Sequence, residues 1–172
     1  MTAFRKRTYS SLTEFLTDFW FPVRNRKRLR QLRKDALVTP AFRERLMIAV
    51  TAVNGCRYCS YFHAREALRT GLAPAEIAGL LSGSVTGCPE DEAVALAYAQ
   101  HWAETDARPD PEAVHRLEEA YGVERAGAIH LVLRMIRMGN LSGNTLDYLL
   151  HRISFGRWGG AHLSQDQELQ ST

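Results

Sequence analysis

Four of the six prolines in this 172-residue chain, Pro40, Pro74, Pro89 and Pro111, stand at the head of segments built from helix-forming residues. Proline is tolerated in the first turn of a helix, where its missing N–H would have no partner and its fixed φ is already helical. Repeated along the chain, that placement cuts it into helices. Pro40 opens a segment carrying Phe42, Leu46, Val50 and Val53 at helical spacing, which Asn54-Gly55 breaks. Ala73-Pro74-Ala75-Glu76 opens a short helix through Leu81, Pro89-Glu90-Asp91-Glu92 one that runs to Glu104, and Pro111-Glu112 a third. The acidic residues in these first turns complement the positive end of the helix dipole.

The remaining segments read the same way. Ser11-Leu12-Thr13-Glu14 has the form of a capping box, and Leu12, Phe15, Leu16 and Phe19 follow at helical spacing. Pro22 is expected to end that helix near Trp20, because proline disfavours helix at the residue before it. The arginine-rich segment to Lys34 forms a second helix, and Cys56 begins another that Gly71 closes after Thr70. The last two are expected from Glu124 to Met138 and from Asn144 to Ile153, separated by Gly139 to Gly143. No segment alternates with period two, so the expected fold is all-α with about seven or eight helices. Three regions follow: a basic helical N-terminal extension over 1–35, a helical domain over 36–158, and a flexible tail over 159–172.

Composition narrows the function classes. With 45% hydrophobic and 24% charged residues the chain buries a core as one domain, which excludes a disordered or fibrous protein. Three cysteines are too few, and odd in number, for the disulfide framework of a small secreted domain, and no N-terminal segment has a cleavable apolar core. A cytoplasmic location is therefore expected. The longest nearly uninterrupted apolar stretch, Leu46 to Val53, is far too short to span a bilayer. The net charge of +3 is a near-cancellation: residues up to Lys34 carry ten basic and two acidic side chains, the rest twelve and seventeen.

The residues that carry chemistry lie in Asn54-Gly55-Cys56-Arg57-Tyr58-Cys59-Ser60-Tyr61-Phe62-His63. At about 100° per residue, Cys59 and His63 fall about −60° and −20° from Cys56 around a helix, so two thiols and an imidazole share one face. His63 can take the Cys59 proton, and Cys56 in the first turn meets unpaired N–H groups that stabilise a thiolate. The pair could cycle between dithiol and disulfide. Two other readings stay open. The same run can bind zinc, although neither Cys88 nor another histidine has the spacing of a fourth ligand. The cysteines can also be small core residues beside a satisfied histidine.

The segment from Arg43 to Glu66 closely resembles the signature of AhpD-like alkylhydroperoxidases, within the carboxymuconolactone decarboxylase superfamily. That signature has a glutamate twelve residues before the first cysteine, then Cys-x-x-Cys, then a histidine four residues on, and Glu44, Cys56, Cys59 and His63 match every spacing. The resemblance implies an all-helical fold and a thiol peroxidase or disulfide reductase acting on hydroperoxides or disulfides. It further implies no bound cofactor, an external thiol reductant of lipoyl or thioredoxin-like kind, and a homotrimer or homohexamer. By the same resemblance Cys59 reacts with peroxide, Cys56 resolves and meets the reductant, and His63 and Glu44 relay protons. Where peroxidase members have a histidine between the cysteines, this chain has Tyr58. The decarboxylase branch characteristically lacks the cysteine pair, so its presence argues against lactone decarboxylation. Tyr58 and the basic arm motivate an alternative, a non-enzymatic redox or ligand sensor on the same scaffold; a metal-binding module is the third.

Other residues carry plainer expectations. Cys88 reads as loop or core filler, His130 as a packed, hydrogen-bonded histidine, and Asn140 and Asn144 as helix caps. Arg24, Arg26, Lys27, Arg28 and Arg30 encircle a helix, the pattern of a solvated surface more than of a stripe for nucleic acid or anionic lipid.

Overall fold

A computed structural model describes Phe4, residues 6–34 and residues 37–159, and places helices at α1 (Leu12–Arg24), α2 (Arg26–Lys34), α3 (Pro40–Asn54), α4 (Arg57–Arg69), α5 (Pro74–Leu81), α6 (Ala93–Glu104) and α7 (Pro111–Ile153). A single 3₁₀ turn, Glu90–Glu92, leads into α6. No strand occurs among the described residues, and none of their helices is long and apolar enough to cross a membrane. The fold is all-α, as the proline punctuation implied.

The hub is α3, against which α4, α5, α6 and α7 all pack. Phe42, Leu46, Ile48, Ala49 and Val50 of α3 are fully buried, the pattern of a helix covered on most sides. Its ends are locally specified. The Thr39 hydroxyl accepts from the Phe42 N–H at 3.2 Å, Pro40 fills the first turn, and Gly55 closes the helix with a left-handed φ of 67°. Leu96, Trp102, Ile129 and Leu133 from α6 and α7 complete the main core, and Leu72, Ile77 and Leu80 form a smaller cluster under α5.

Three expectations are corrected. The first helix runs through Pro22 to Arg24 and ends at Asn25. Pro22 removes one backbone bond near the end of α1, and ion pairs hold the helix in place: Arg137 of α7 donates to Asp18 at 2.9 Å and to Glu14 at 2.8 Å. The capping box is also split, because Glu14 donates its N–H to the Ser11 hydroxyl at 3.1 Å while its carboxylate accepts from Ser10. Finally, Gly139 to Gly143 does not separate two helices; α7 is helical from 123 to 153, and its single break lies at Gly122, with φ 74° and ψ 157°.

The residues before α1 run along α7. The Lys6 ammonium donates to Asp147 at 2.9 Å, the Arg7 carbonyl accepts from Asn144 at 2.9 Å, and the Tyr9 N–H donates to Thr145 at 3.2 Å. Arg7 also binds the end of α6, where its guanidinium donates to the carbonyls of Ala103 and Glu104. The basic side chains Arg24, Arg26, Lys27, Arg28 and Arg30 are exposed around the junction of α1 and α2. The tail expected to be flexible lies, apart from Gly159, outside the described residues.

Candidate active site

Cys56 is the cap of α4, not a residue of its first turn. Its backbone is extended, at φ −82° and ψ 104°, and its sulfur accepts from the Cys59 N–H at 3.4 Å. Gly55 turns the chain directly before it, so one short loop delivers the sulfur to the positive end of a helix. The Cys59 sulfur lies 2.9 Å away in hydrogen-bond contact, and both cysteines are free thiols. The hydrogen bond from Cys59 holds the Cys56 thiol down from 9.0 to about 7; burial opposes this, and the Cys59 and Tyr58 N–H groups and the Lys6 ammonium add to it. Cys59 is pushed in the opposite direction, because its proton serves the Cys56 thiolate and its surroundings are poorly solvated. Of the two sulfurs, Cys56 is therefore the one whose surroundings favour the thiolate. Cys56 has no exposed surface, so Cys59 is the sulfur that solvent reaches.

On one side of the pair lie Glu44 and His63. The His63 Nδ1 sits 2.8 Å from a Glu44 carboxylate oxygen, and the ring accordingly donates its Nδ1 proton there. Glu44 is only 3% exposed, which an isolated glutamate on a helix would not be, and Arg43 holds its other oxygen at 3.2 Å. Among the described residues no hydrogen bond joins His63 to either sulfur. The dyad faces a cleft of about 440 Å³ whose apolar wall includes Leu29, Met47, Phe62, Val132 and Met135.

On the other side lies a group that spacing did not reveal. Asp147 of α7 is fully buried and accepts from Lys6 at 2.9 Å, from the Tyr58 hydroxyl at 2.9 Å and from Arg57 at 2.8 Å. Tyr58, which stands between the cysteines, is therefore tied to α7 by its hydroxyl. The sequence signal for this arrangement was faint: one lysine near the N-terminus and one aspartate late in an amphipathic helix, 141 positions apart.

Gly139 and Gly143, which lie inside α7, explain how that helix comes so close. A Cβ at Gly143 would fall 2.7 Å from the Cys56 sulfur and 3.3 Å from the Tyr58 ring, inside van der Waals contact. One at Gly139 would meet the Cys59 sulfur at an ordinary 3.8 Å. Asn140 and Asn144 do not cap their own helix. Both are fully buried within α7, where Asn140 accepts from the Thr51 hydroxyl at 3.1 Å and Asn144 donates to the Asn54 carbonyl at 2.8 Å. Asn144 thereby satisfies the end of α3 from across the core.

The other candidates lie apart. His130 bonds the Tyr98 hydroxyl at 3.2 Å and burial lowers its basicity, as a packed histidine requires. Cys88 packs against the core clusters, and burial pushes its thiol up. Among the described residues no three histidines, cysteines or carboxylates are grouped to hold a metal.

A helical domain with a cysteine pair at the start of one helix, backed by a buried carboxylate and histidine, defines a thiol-bearing all-α protein. Residues 23–101 match the carboxymuconolactone decarboxylase family, in keeping with the resemblance of the Arg43–Glu66 segment. The match spans α2 through most of α6, and so contains Glu44, Cys56, Cys59 and His63 but none of α7. Comparison with curated proteins and with solved structures gives no match.

Proposed function

We propose that the chain is a thiol oxidoreductase that reduces hydroperoxides or disulfides by a Cys56/Cys59 dithiol cycle. The observation that carries this reading is the pair of free thiols 2.9 Å apart at the start of α4, placed to close a disulfide. In the peroxide form of the cycle His63, oriented by Glu44, accepts the Cys59 proton through a bridging water. The Cys59 thiolate attacks the outer peroxide oxygen, forming a sulfenic acid as the O–O bond breaks and the alkoxide takes up a proton. Cys56 then attacks the Cys59 sulfur, closes the disulfide and expels hydroxide, which takes up the Cys56 proton and leaves as water. Dithiol plus hydroperoxide thus gives disulfide, alcohol and water. Exchange with an external dithiol of lipoyl or thioredoxin-like chemistry returns the pair to its reduced state without a bound cofactor. Such a cycle suits the reducing cytoplasm. Exposed Leu12, Leu16, Phe19, Trp20 and Val23 along α1 support burial between subunits of a homotrimer or homohexamer.

Intact-mass analysis of the reduced protein before and after one equivalent of peroxide tests the proposal. The expected result is a loss of two hydrogens confined to the Cys56–Cys59 peptide, with a rate that rises with pH through about 7 as the pair gives up its first proton. Stoichiometric peroxide consumption unchanged by Cys59→Ser would falsify the peroxidase form. The full burial of Cys56 favours a second reading, a redox sensor whose disulfide forms reversibly without turnover. Steady turnover with an added dithiol reductant excludes it.

A further inference from the structure

We propose that Lys6 is a positioning residue of the dithiol: its ammonium, pinned by the buried carboxylate of Asp147, fixes the negative charge of the pair on Cys56. This rests on Cys56 and Cys59 being the reactive pair, and it assigns a role to a segment outside the family-matched residues.

The geometry is specific. The Lys6 side chain is only 12% exposed, and its stem passes 3.9 Å from the Cβ position of Gly55, the residue that turns the chain into Cys56. Its ammonium is held 2.9 Å from one Asp147 oxygen while the other oxygen accepts from Tyr58 and Arg57. Asp147 is therefore shared between two cations, and its single charge does not cancel both. Arg57 is 45% exposed and is compensated by water, whereas Lys6 is shielded from it. A buried cation without full compensation favours an anion beside it, and the Cys56 thiolate is the group that can supply one. The charged and titratable groups around that sulfur are Cys59, Tyr58 and Arg57 from α4, Asp147 from α7 and Lys6 from the N-terminal segment. The carboxylate of α3, Glu44, is occupied by His63 and Arg43. The Cys59 N–H already favours the charge on Cys56, and the buried Lys6 ammonium adds to that preference from outside the helix.

The chain has three lysines, Lys6, Lys27 and Lys34, so selective ¹³C labelling of lysine in the full-length reduced protein gives three Cε signals. The Lys6 signal is expected to move with the same midpoint as thiolate absorbance at 240 nm, and to lose that movement in Cys56→Ser. Lys6→Met is expected to raise the thiolate midpoint by on the order of half a pH unit or more, and Lys6→Arg to restore it. A purely structural lysine would change stability and leave the midpoint in place. A Lys6 signal that stays flat through the thiolate titration overturns the proposal, as does a folded Lys6→Met protein whose midpoint moves by less than about 0.2 unit. If Lys6→Met does not fold, the labelled natural chain decides alone. No peroxide enters the experiment, so failure of the peroxidase reading leaves this result standing.

Discussion

The two flanks of the dithiol are built on opposite plans. On the Glu44 flank an acid and a base from adjacent helices meet beside an open cleft, and both are visible in one short stretch of sequence. On the Asp147 flank a lysine from before α1 and a tyrosine from α4 converge on one buried carboxylate of α7, with the Tyr58 side chain itself open to solvent. The first flank is suited to passing protons to and from a ligand. The second is suited to holding charge still. Catalysis by a thiol pair needs both, and here each rests on its own support, so damage to one should leave the other measurable.

The largest break is expected from Asp147→Ala, which strands Lys6 and leaves Tyr58 without its acceptor. It should cost about 3 kcal/mol, the low end for losing one partner of a buried ion pair, because Arg57 can turn to solvent. Urea unfolding reads this directly, and a loss below about 1 kcal/mol would show that this cluster is not integral to the fold. Next comes a pair of substitutions on α7. Gly143→Ala forces a methyl against the Cys56 sulfur and should cost about 1–3 kcal/mol, whereas Gly139→Ala meets ordinary contact and should be neutral or stabilising by up to about 1 kcal/mol. Equal effects in thermal unfolding would mean that α7 does not press on the cysteines as described. The smallest destabilisation is expected from Glu44→Gln, about 1 kcal/mol from a weakened hydrogen bond to His63. It should slow disulfide formation about tenfold or more while leaving the thiolate midpoint unmoved. A shifted midpoint would mean that the flanks are coupled.

What could be read in advance was local. Pro40, Asn54-Gly55 and Gly71 mark helix ends through chemistry confined to a turn, and the ends fall there. Cys56, Cys59 and His63 share a helical face by their spacing, whereas Glu44 stands out only through the signature that the segment resembles. Long-range contacts hid the rest. Pro22 should stop a helix, but Arg137 holds Glu14 and Asp18 from more than a hundred positions away. Gly139 and Gly143 carry the composition of a break, yet they serve as a flat surface for sulfur. Asn140 and Asn144 have the residue type of caps, but their amides reach across to α3. Lys6 and Asp147 each look like ordinary surface charge until the chain is folded.

The contact between position 143 and the Cys56 sulfur also constrains how such a chain can evolve. While the thiol stays, position 143 admits only glycine without a shift in α7 or α4. Once the thiol is replaced by a shorter side chain, alanine becomes permissible there and is favoured by helix propensity. The two positions should therefore change together among related sequences. A relative with a larger residue in place of Gly143 should also have lost the first cysteine of the pair.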